Sequence, residues 1–214
     1  MTQDERQQTL VLEKFSVGYG ESLIGELSLS VEPHEIISVV GSSGTGKSTL
    51  LRTIAGLLPP IGGSVNVFGS GPSAHYGSNR FHYLHQDPVV FPHLSVRENV
   101  EIVGEILNGS HTMGSVDEAL RSVGLGAKES ELPQNLSRGM KARLALARLF
   151  VAPPELILAD EPFASLDIMR RQELTELFKQ LCKQSGATLV SVTHDIVEAI
   201  RSSDRIVALK RGAW

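Results

Sequence analysis

The sequence is poor in cysteine and has no long apolar run. Its single cysteine, Cys182, excludes an internal disulfide framework and favours a reducing compartment. No uninterrupted apolar stretch reaches the roughly eighteen residues that a membrane-spanning helix needs. If the protein works at a membrane, we therefore expect another component to hold it there.

Positive charge is also scarce. Lysine and arginine number 20 against 24 aspartate and glutamate residues, which gives a net charge of −4. This balance disfavours a protein built mainly to bind nucleic acid, so we expect no nucleic-acid partner. The rest of the composition is ordinary for a globular protein, and 214 residues suffice for one core with room for an inserted lobe.

Hydrophobic patterning predicts strands that alternate with helices. Thr9–Phe15 and Leu27–Val31 alternate apolar and polar residues, which predicts strands with one solvent face. Glu35–Val40 is apolar and β-branched, as expected of a buried strand in a parallel sheet. Further strands are predicted at Ser64–Phe68, Phe81–His85, Leu156–Ala159, Ala187–Val192 and Arg205–Leu209, and helices at Lys47–Leu58, Ile168–Gln184 and Asp195–Arg201. This order predicts an α/β fold with a mostly parallel sheet that is covered on both faces.

The pattern changes between Pro88 and Val151. Apolar residues recur there at intervals of three and four, at Val96, Val100, Val103, Leu107, Val116, Leu120 and Val123. We therefore predict a helical lobe, residues 88–151, inserted into an α/β core made of residues 1–87 and 152–214. The chain 1–214 is then a single domain.

A glycine-rich segment between the third strand and the first helix matches the pattern G-x-x-x-x-G-K-[ST]. Glycines let the backbone curl so that successive N–H groups point inward and bind phosphates at a helix N-terminus. Lys47 adds positive charge for the β- and γ-phosphates, and the Ser48 hydroxyl can bind Mg²⁺. Thr49 is expected near the α-phosphate. The predicted phosphate loop consists of Gly41, Ser42, Ser43, Gly44, Thr45, Gly46, Lys47 and Ser48.

Two acidic residues follow the apolar run Leu156–Ala159. A strand that ends in this way delivers carboxylates to the edge of the sheet where open α/β proteins bind ligands. We expect Asp160 to hold Mg²⁺ through a water molecule, as in P-loop NTPases. Glu161 is then free to orient or deprotonate the attacking water. Downstream of a phosphate loop, this pair predicts nucleotide hydrolysis.

Further short motifs follow one another in an order that resembles the ATP-binding subunit of ABC transporters. They are Tyr19 in SVGYG, Gln86 after FHYLH, the segment Leu136–Met140, the segment Ala164–Asp167 and His194 in VTHD. The resemblance covers nearly the whole chain. It implies the ABC ATPase fold, in which an antiparallel β subdomain precedes the P-loop core, and it implies ATP and Mg²⁺ as cofactors.

The resemblance also implies roles for these residues. Tyr19 stacks on adenine, Gln86 reaches Mg²⁺ and the attacking water and senses a transmembrane partner, and His194 contacts the γ-phosphate. In this family two subunits enclose two ATP molecules head to tail. Ser137 and Gly139 are therefore expected to contact the γ-phosphate that the other copy in a homodimer holds, while Ala164–Asp167 crosses the interface.

The segment Leu136–Met140, here called the signature segment, departs from the family pattern LSGGQ. Arg138 replaces the first glycine and Met140 replaces the glutamine. The Arg138 side chain either brings extra positive charge near the phosphate or projects into solvent. We expect ATP hydrolysis to survive both replacements.

The arrangement of the chain resembles an importer subunit. Exporters commonly join this domain to membrane helices, and ATPases of repair and chromosome organisation insert long coiled coils between the glutamine and the signature segment. The runs FPHLSVRENV and THDIVEAIRSSDRI resemble the nitrate, sulfonate, taurine and thiamine-precursor group. The resemblance implies permease subunits and a solute-binding protein as partners, and a place on the cytoplasmic face of the cell membrane. The alternative is an ABC-type ATPase of repair or regulation that performs no transport.

Overall fold

A computed structural model describes residues 8–76, 78–87, 89–106 and 115–209. The first strands form an antiparallel sheet in the order β2-β1-β4, with β1 at Leu10–Tyr19, β2 at Glu21–Val31 and β4 at Gly62–Val67. Strands β1 and β2 extend beyond their predicted bounds. They do so because residues 17–19 pair with residues 21–24 in a hairpin. Apolar and polar residues alternate less clearly in this hairpin than in the rest of the two strands.

A parallel sheet carries the rest of the core. Its order is β5-β6-β7-β3-β8. The strands are β3 (Ile36–Val40), β5 (Phe81–Leu84), β6 (Leu156–Asp160), β7 (Thr188–Thr193) and β8 (Arg205–Ala208). Every residue of β3 and β6 is buried, as expected of central strands covered on both faces. The predicted α/β fold class is confirmed.

Three helices accompany the sheet: α1 (Lys47–Ile54), α5 (Ile168–Ser185) and α6 (Ile196–Ser202). The prediction that the first helix runs to Leu58 is wrong. The N–H groups of Leu57 and Leu58 both donate to the carbonyl of Arg52, which closes a wider turn in place of another helical turn. Helix α5 begins where predicted, because the Asp167 side chain caps it by accepting from the N–H of Arg170.

The described residues between 89 and 151 contain the helices α2 (Val96–Ile106), α3 (Val116–Ser122) and α4 (Arg138–Phe150), and no strand. Ser115 and Glu118 form a capping box at the start of α3, which satisfies N–H groups that would otherwise lack acceptors. Pro88 and Leu107, which the sequence analysis placed in the helical lobe, lie outside the described residues. None of the helices in the described part of the chain has the length and apolar character needed to cross a membrane.

Side chains of the parallel sheet point alternately into two apolar clusters. Leu156 and Leu158 face a cluster shared with α1 and the antiparallel sheet. Ile157 and Ala159 face a second cluster, to which α2, α3, α4 and α5 contribute. Strand β6 therefore lies between two cores, and helices α2, α3 and α4 pack onto the same sheet that carries the acidic pair.

The first cluster supports a matched test of packing. Leu50 of α1 is fully buried, whereas Leu57 just beyond the helix is 58% exposed. We expect Leu50→Ala to lower the free energy of unfolding by about 2–5 kcal/mol, because it leaves a cavity. Leu57→Ala should change it by about 0.5 kcal/mol or less. Urea denaturation of both variants measures the difference, and equal losses would contradict this account of the core.

Candidate nucleotide site

The phosphate loop (Gly41–Ser48) connects β3 to α1. Gly44 and Gly46 adopt φ values of 78° and 92°, which side chains rarely tolerate. Gly46 caps α1 without a side-chain acceptor, so the first N–H groups of the helix remain available to an anion. Thr45 is buried, and its hydroxyl donates to the carbonyl of Ser42 at 2.8 Å, which holds the curve of the loop.

Lys47 lies across this loop with only 5% of its side chain exposed. Its Nζ donates to the carbonyls of Gly41 at 2.9 Å and Ser42 at 3.2 Å. Its nearest carboxylate oxygen is Oε1 of Glu161, at 3.6 Å. A buried ammonium needs partners, and here the loop carbonyls supply most of them. The structure therefore holds one positive charge within the curve where phosphates are expected.

Asp160 ends β6 beside the loop. Its Oδ1 accepts from the Ser48 hydroxyl at 2.8 Å, and its Oδ2 accepts from the Tyr83 hydroxyl at 2.9 Å. Burial, and after it the Asp160 charge, raise the pKa of the Tyr83 hydroxyl, which therefore remains a protonated donor. The sequence analysis missed Tyr83. The available signal was its place on β5, near the carboxyl edge of the same sheet as Asp160.

Arg52, on α1, was also missed. The nearby Tyr83 hydroxyl raises the pKa of its guanidinium, and Tyr19 contributes in the same direction. Burial, the second cause in size, acts against this rise in pKa. Tyr19 is 63% exposed at the end of β1. The structure thus places the predicted adenine-binding tyrosine near α1, with its ring open to solvent.

Glu161 and His194 meet after neighbouring strands. Glu161 has a φ of 44°, unusual for a residue with a side chain, and its N–H donates to the carbonyl of Val192 at 3.2 Å. Its Oε2 lies 2.7 Å from Nδ1 of His194, while Oε1 faces Lys47. Strained backbone of this kind is common at functional sites. The carboxylate of Glu161 therefore lies between Lys47 and His194, two side chains predicted to contact the γ-phosphate.

The oxygen donors of this site fit Mg²⁺ bound together with a nucleotide. Ser48 and Asp160 supply a hydroxyl and a carboxylate, which a hard cation prefers. Across the described residues, no group of three or more histidine, cysteine, aspartate or glutamate side chains is placed to hold a metal ion. Mg²⁺ commonly takes its remaining ligands from phosphates and water, so a site of one carboxylate suits it.

Several predicted residues are not joined to this cluster. Gln86 is exposed just after β5, and Ser137 is exposed at the start of α4, where its hydroxyl accepts from the N–H of Met140 at 3.3 Å. Gly139 is buried within α4, and Arg138 is exposed. Within the described ranges no hydrogen bond links the signature segment to the phosphate loop. Thr49 is buried in α1, where its carbonyl accepts from the Thr53 hydroxyl.

Solved structures define the class of protein. The chain resembles CbiO1 of Clostridium perfringens, described as part of an ABC transporter complex, with a TM-score of 0.81 and 26% identity over 95% of this chain and 85% of that one. A putative ABC transporter ATP-binding protein of Pyrococcus furiosus has a TM-score of 0.80 over 94% of this chain and 96% of that one. At 22% identity, this similarity supports the fold alone. The architecture is that of an ABC ATPase domain.

The chain belongs to the ABC transporter family, whose model matches residues 24–164. Among curated relatives, the bicarbonate transport ATP-binding protein CmpC of Synechococcus elongatus is 42% identical over 87% of this chain, which spans 28% of that protein's length. The nitrate import ATP-binding protein NrtC of the same species is 39% identical over 87% of this chain and 29% of its own length. The aliphatic sulfonates import ATP-binding protein SsuB 2 of Burkholderia cenocepacia is 39% identical over 89% of this chain and 70% of its own length. The predicted resemblance to the nitrate and sulfonate group is confirmed.

The backbone of the phosphate loop generates a prediction about stability. Gly44→Ala forces a side chain into a left-handed conformation in open space and should cost about 1–2 kcal/mol. Gly46→Ala should cost more, because its new Cβ would also lie 3.1 Å from Cβ of Leu23. Gly71→Ala is the control, since Gly71 has φ −67° and open space around it, and we expect a change of about 0.5 kcal/mol or less. Urea denaturation without nucleotide gives the ranking, and equal values for Gly44→Ala and Gly71→Ala would refute it.

Proposed function

We propose that this chain binds and hydrolyses ATP and thereby powers the import of a small solute through a membrane permease. The observation that carries the proposal is the meeting of Lys47, Ser48, Asp160, Glu161 and His194 at one edge of the parallel sheet. Family membership and the names of the curated relatives, which are ATP-binding proteins of transport systems, support ATP as the nucleotide.

The phosphates bind over the N–H groups of the phosphate loop and beside the Lys47 ammonium. Ser48 and Asp160 hold Mg²⁺, with Gln86 approaching from the end of β5, and Tyr19 stacks on adenine. When bound, Mg²⁺ neutralises negative charge that develops on the phosphate oxygens. The exposure of Tyr19 and Gln86 supports these roles, because both side chains are free to meet a ligand.

Hydrolysis requires a base for water and compensation of charge, rather than covalent chemistry by the protein. Glu161 orients the water and accepts its proton. Lys47 and His194 stand on either side of this carboxylate and stabilise charge at the γ-phosphate. The contact between Glu161 and His194 holds both side chains beside the loop before the nucleotide enters.

A second copy of the chain completes the site. Ser137 lies exposed at the N-terminus of α4, a 13-residue helix whose first turn favours anions. Its hydroxyl accepts from the N–H of Met140, and the exposure of the side chain supports a contact with the opposite copy. In the homodimer, Ser137 and Gly139 of each chain face the γ-phosphate held by the other. ATP therefore favours closure of the dimer, and hydrolysis releases it.

The chain forms a single domain, 1–214, in which a helical lobe, 88–151, interrupts the core formed by 1–87 and 152–214. The helical lobe and Gln86 contact the permease subunits and transmit the closure of the dimer to them. The protein therefore works at the cytoplasmic face of the membrane. A solute-binding protein delivers the solute to the permease. The relatives named for bicarbonate, nitrate and sulfonates have nearly equal sequence identity to this chain, at 42%, 39% and 39%. The ATPase sequence therefore does not select the solute.

The assignment of the base leads to a direct test. We expect Glu161→Gln to retain ATP binding, to lose turnover by about 100-fold or more, and to accumulate as a dimer in ATP. Lys47→Ala is the comparison, because it removes the loop's buried charge and should lose ATP affinity itself. Fluorescent-nucleotide titration, phosphate release and size-exclusion chromatography measure the three quantities. Hydrolysis by Glu161→Gln near the wild-type rate would overturn this role.

Transport is tested separately from hydrolysis. A permease encoded beside this chain should co-purify with it from membranes, and ATP turnover should rise when the permease and its solute-binding protein are present. The exposed Gln86 gives a probe: Gln86→Ala should weaken this stimulation more than it weakens ATP binding, because Lys47 and the phosphate loop still hold the phosphates. ATPase stimulation by DNA or ribosomes without a permease would favour the repair or regulatory alternative.

A further inference from the structure

The carboxylate of Asp160 is held at both oxygens by side chains from different elements. The Ser48 hydroxyl, on α1, donates to Oδ1, and the Tyr83 hydroxyl, on β5, donates to Oδ2. Hydrogen bonds to an ionised carboxylate are stronger than those between neutral groups. The two donors therefore fix the direction in which Asp160 faces.

The two donors have different tasks when a cation binds. In the proposed function, on which this inference rests, the Ser48 hydroxyl is itself a ligand of Mg²⁺. It can bind the cation through a lone pair of its oxygen while its proton remains on Oδ1 of Asp160. Tyr83 has no such second task, so its bond to Oδ2 serves only to hold the carboxylate.

The surroundings of Tyr83 hold its ring in place. Strand β5 runs parallel to β6, with Tyr83 opposite Leu158, so the phenol reaches forward along the sheet to Asp160. The imidazole of His85 packs against the ring, with centroids 4.6 Å apart. A ring held at this position can orient a metal-binding group.

We propose that Tyr83 is a positioning residue for the divalent cation, and that its hydroxyl raises cation affinity by holding Asp160 through Oδ2. Groups that orient metal-binding side chains typically change metal affinity by about 10- to 100-fold when removed. Tyr83 contacts neither cation nor nucleotide in this scheme. Its loss should therefore weaken binding of the cation and leave nucleotide binding without metal unchanged.

The test uses Tyr83→Phe, which removes one oxygen atom and keeps the ring. Mn²⁺ serves as the probe, and its free concentration is followed by electron paramagnetic resonance with the full chain and a non-hydrolysable ATP analogue. We expect the dissociation constant for Mn²⁺ to rise about tenfold. The affinity for the analogue in EDTA should equal that of the wild type.

Tyr76→Phe is the matched control. The Tyr76 hydroxyl also makes a hydrogen bond, but its acceptor is the carbonyl of Ala55 at the end of α1, at 3.1 Å, and not Asp160. This variant should bind Mn²⁺ as the wild type does. It separates loss of a tyrosine hydroxyl in general from loss of the one that contacts Asp160.

The outcomes distinguish this proposal from the proposed function. Wild-type Mn²⁺ affinity in Tyr83→Phe would overturn the role of Tyr83 and leave ATP binding and hydrolysis untouched. Loss of analogue affinity in EDTA would also overturn it, because Tyr83 would then act through the fold of the loop. Failure of the wild-type chain to bind the analogue at all would refute the proposed function, and this inference with it.

Discussion

A single hydrogen bond, from the Ser48 hydroxyl to Asp160, joins parts of the chain that are 112 residues apart. It forms because β3 and β6 run parallel in one sheet, with β7 between them, and end at the same edge. In a parallel sheet, the loops that follow the carboxyl ends of the strands lie together at one edge. The approach of Glu161 to both Lys47 and His194 depends on the same arrangement of strands.

The two apolar clusters explain why this edge is well defined. Strand β6 contributes alternate side chains to each cluster, so it cannot shift by one residue without exposing apolar groups and burying others. The register of β6 therefore fixes the position of the carboxylates at its end. By contrast, Ser137 and Gln86 are exposed, and neither belongs to these clusters.

Much of the fold was predictable because local patterns and burial agree. The fully buried strands β3 and β6 appear in the sequence as largely apolar runs, and the period of three and four predicted helices between 89 and 151. The prediction was wrong at the end of α1, where Leu57 and Leu58 bond back to Arg52. That turn depends on local backbone hydrogen bonds that apolar periodicity does not encode, so its end was placed too late.

The sequence by itself determined the phosphate loop, the acidic pair and the family resemblance, because spacing within short motifs specifies local backbone geometry and chemistry. Only the tertiary structure decided which of these groups touch. It brought His194 to Glu161 and placed Tyr83 on the second oxygen of Asp160, 77 residues away in the chain. The physical reason is that a strand's side-chain contacts depend on its neighbours in the sheet, and strand order is a property of the whole fold.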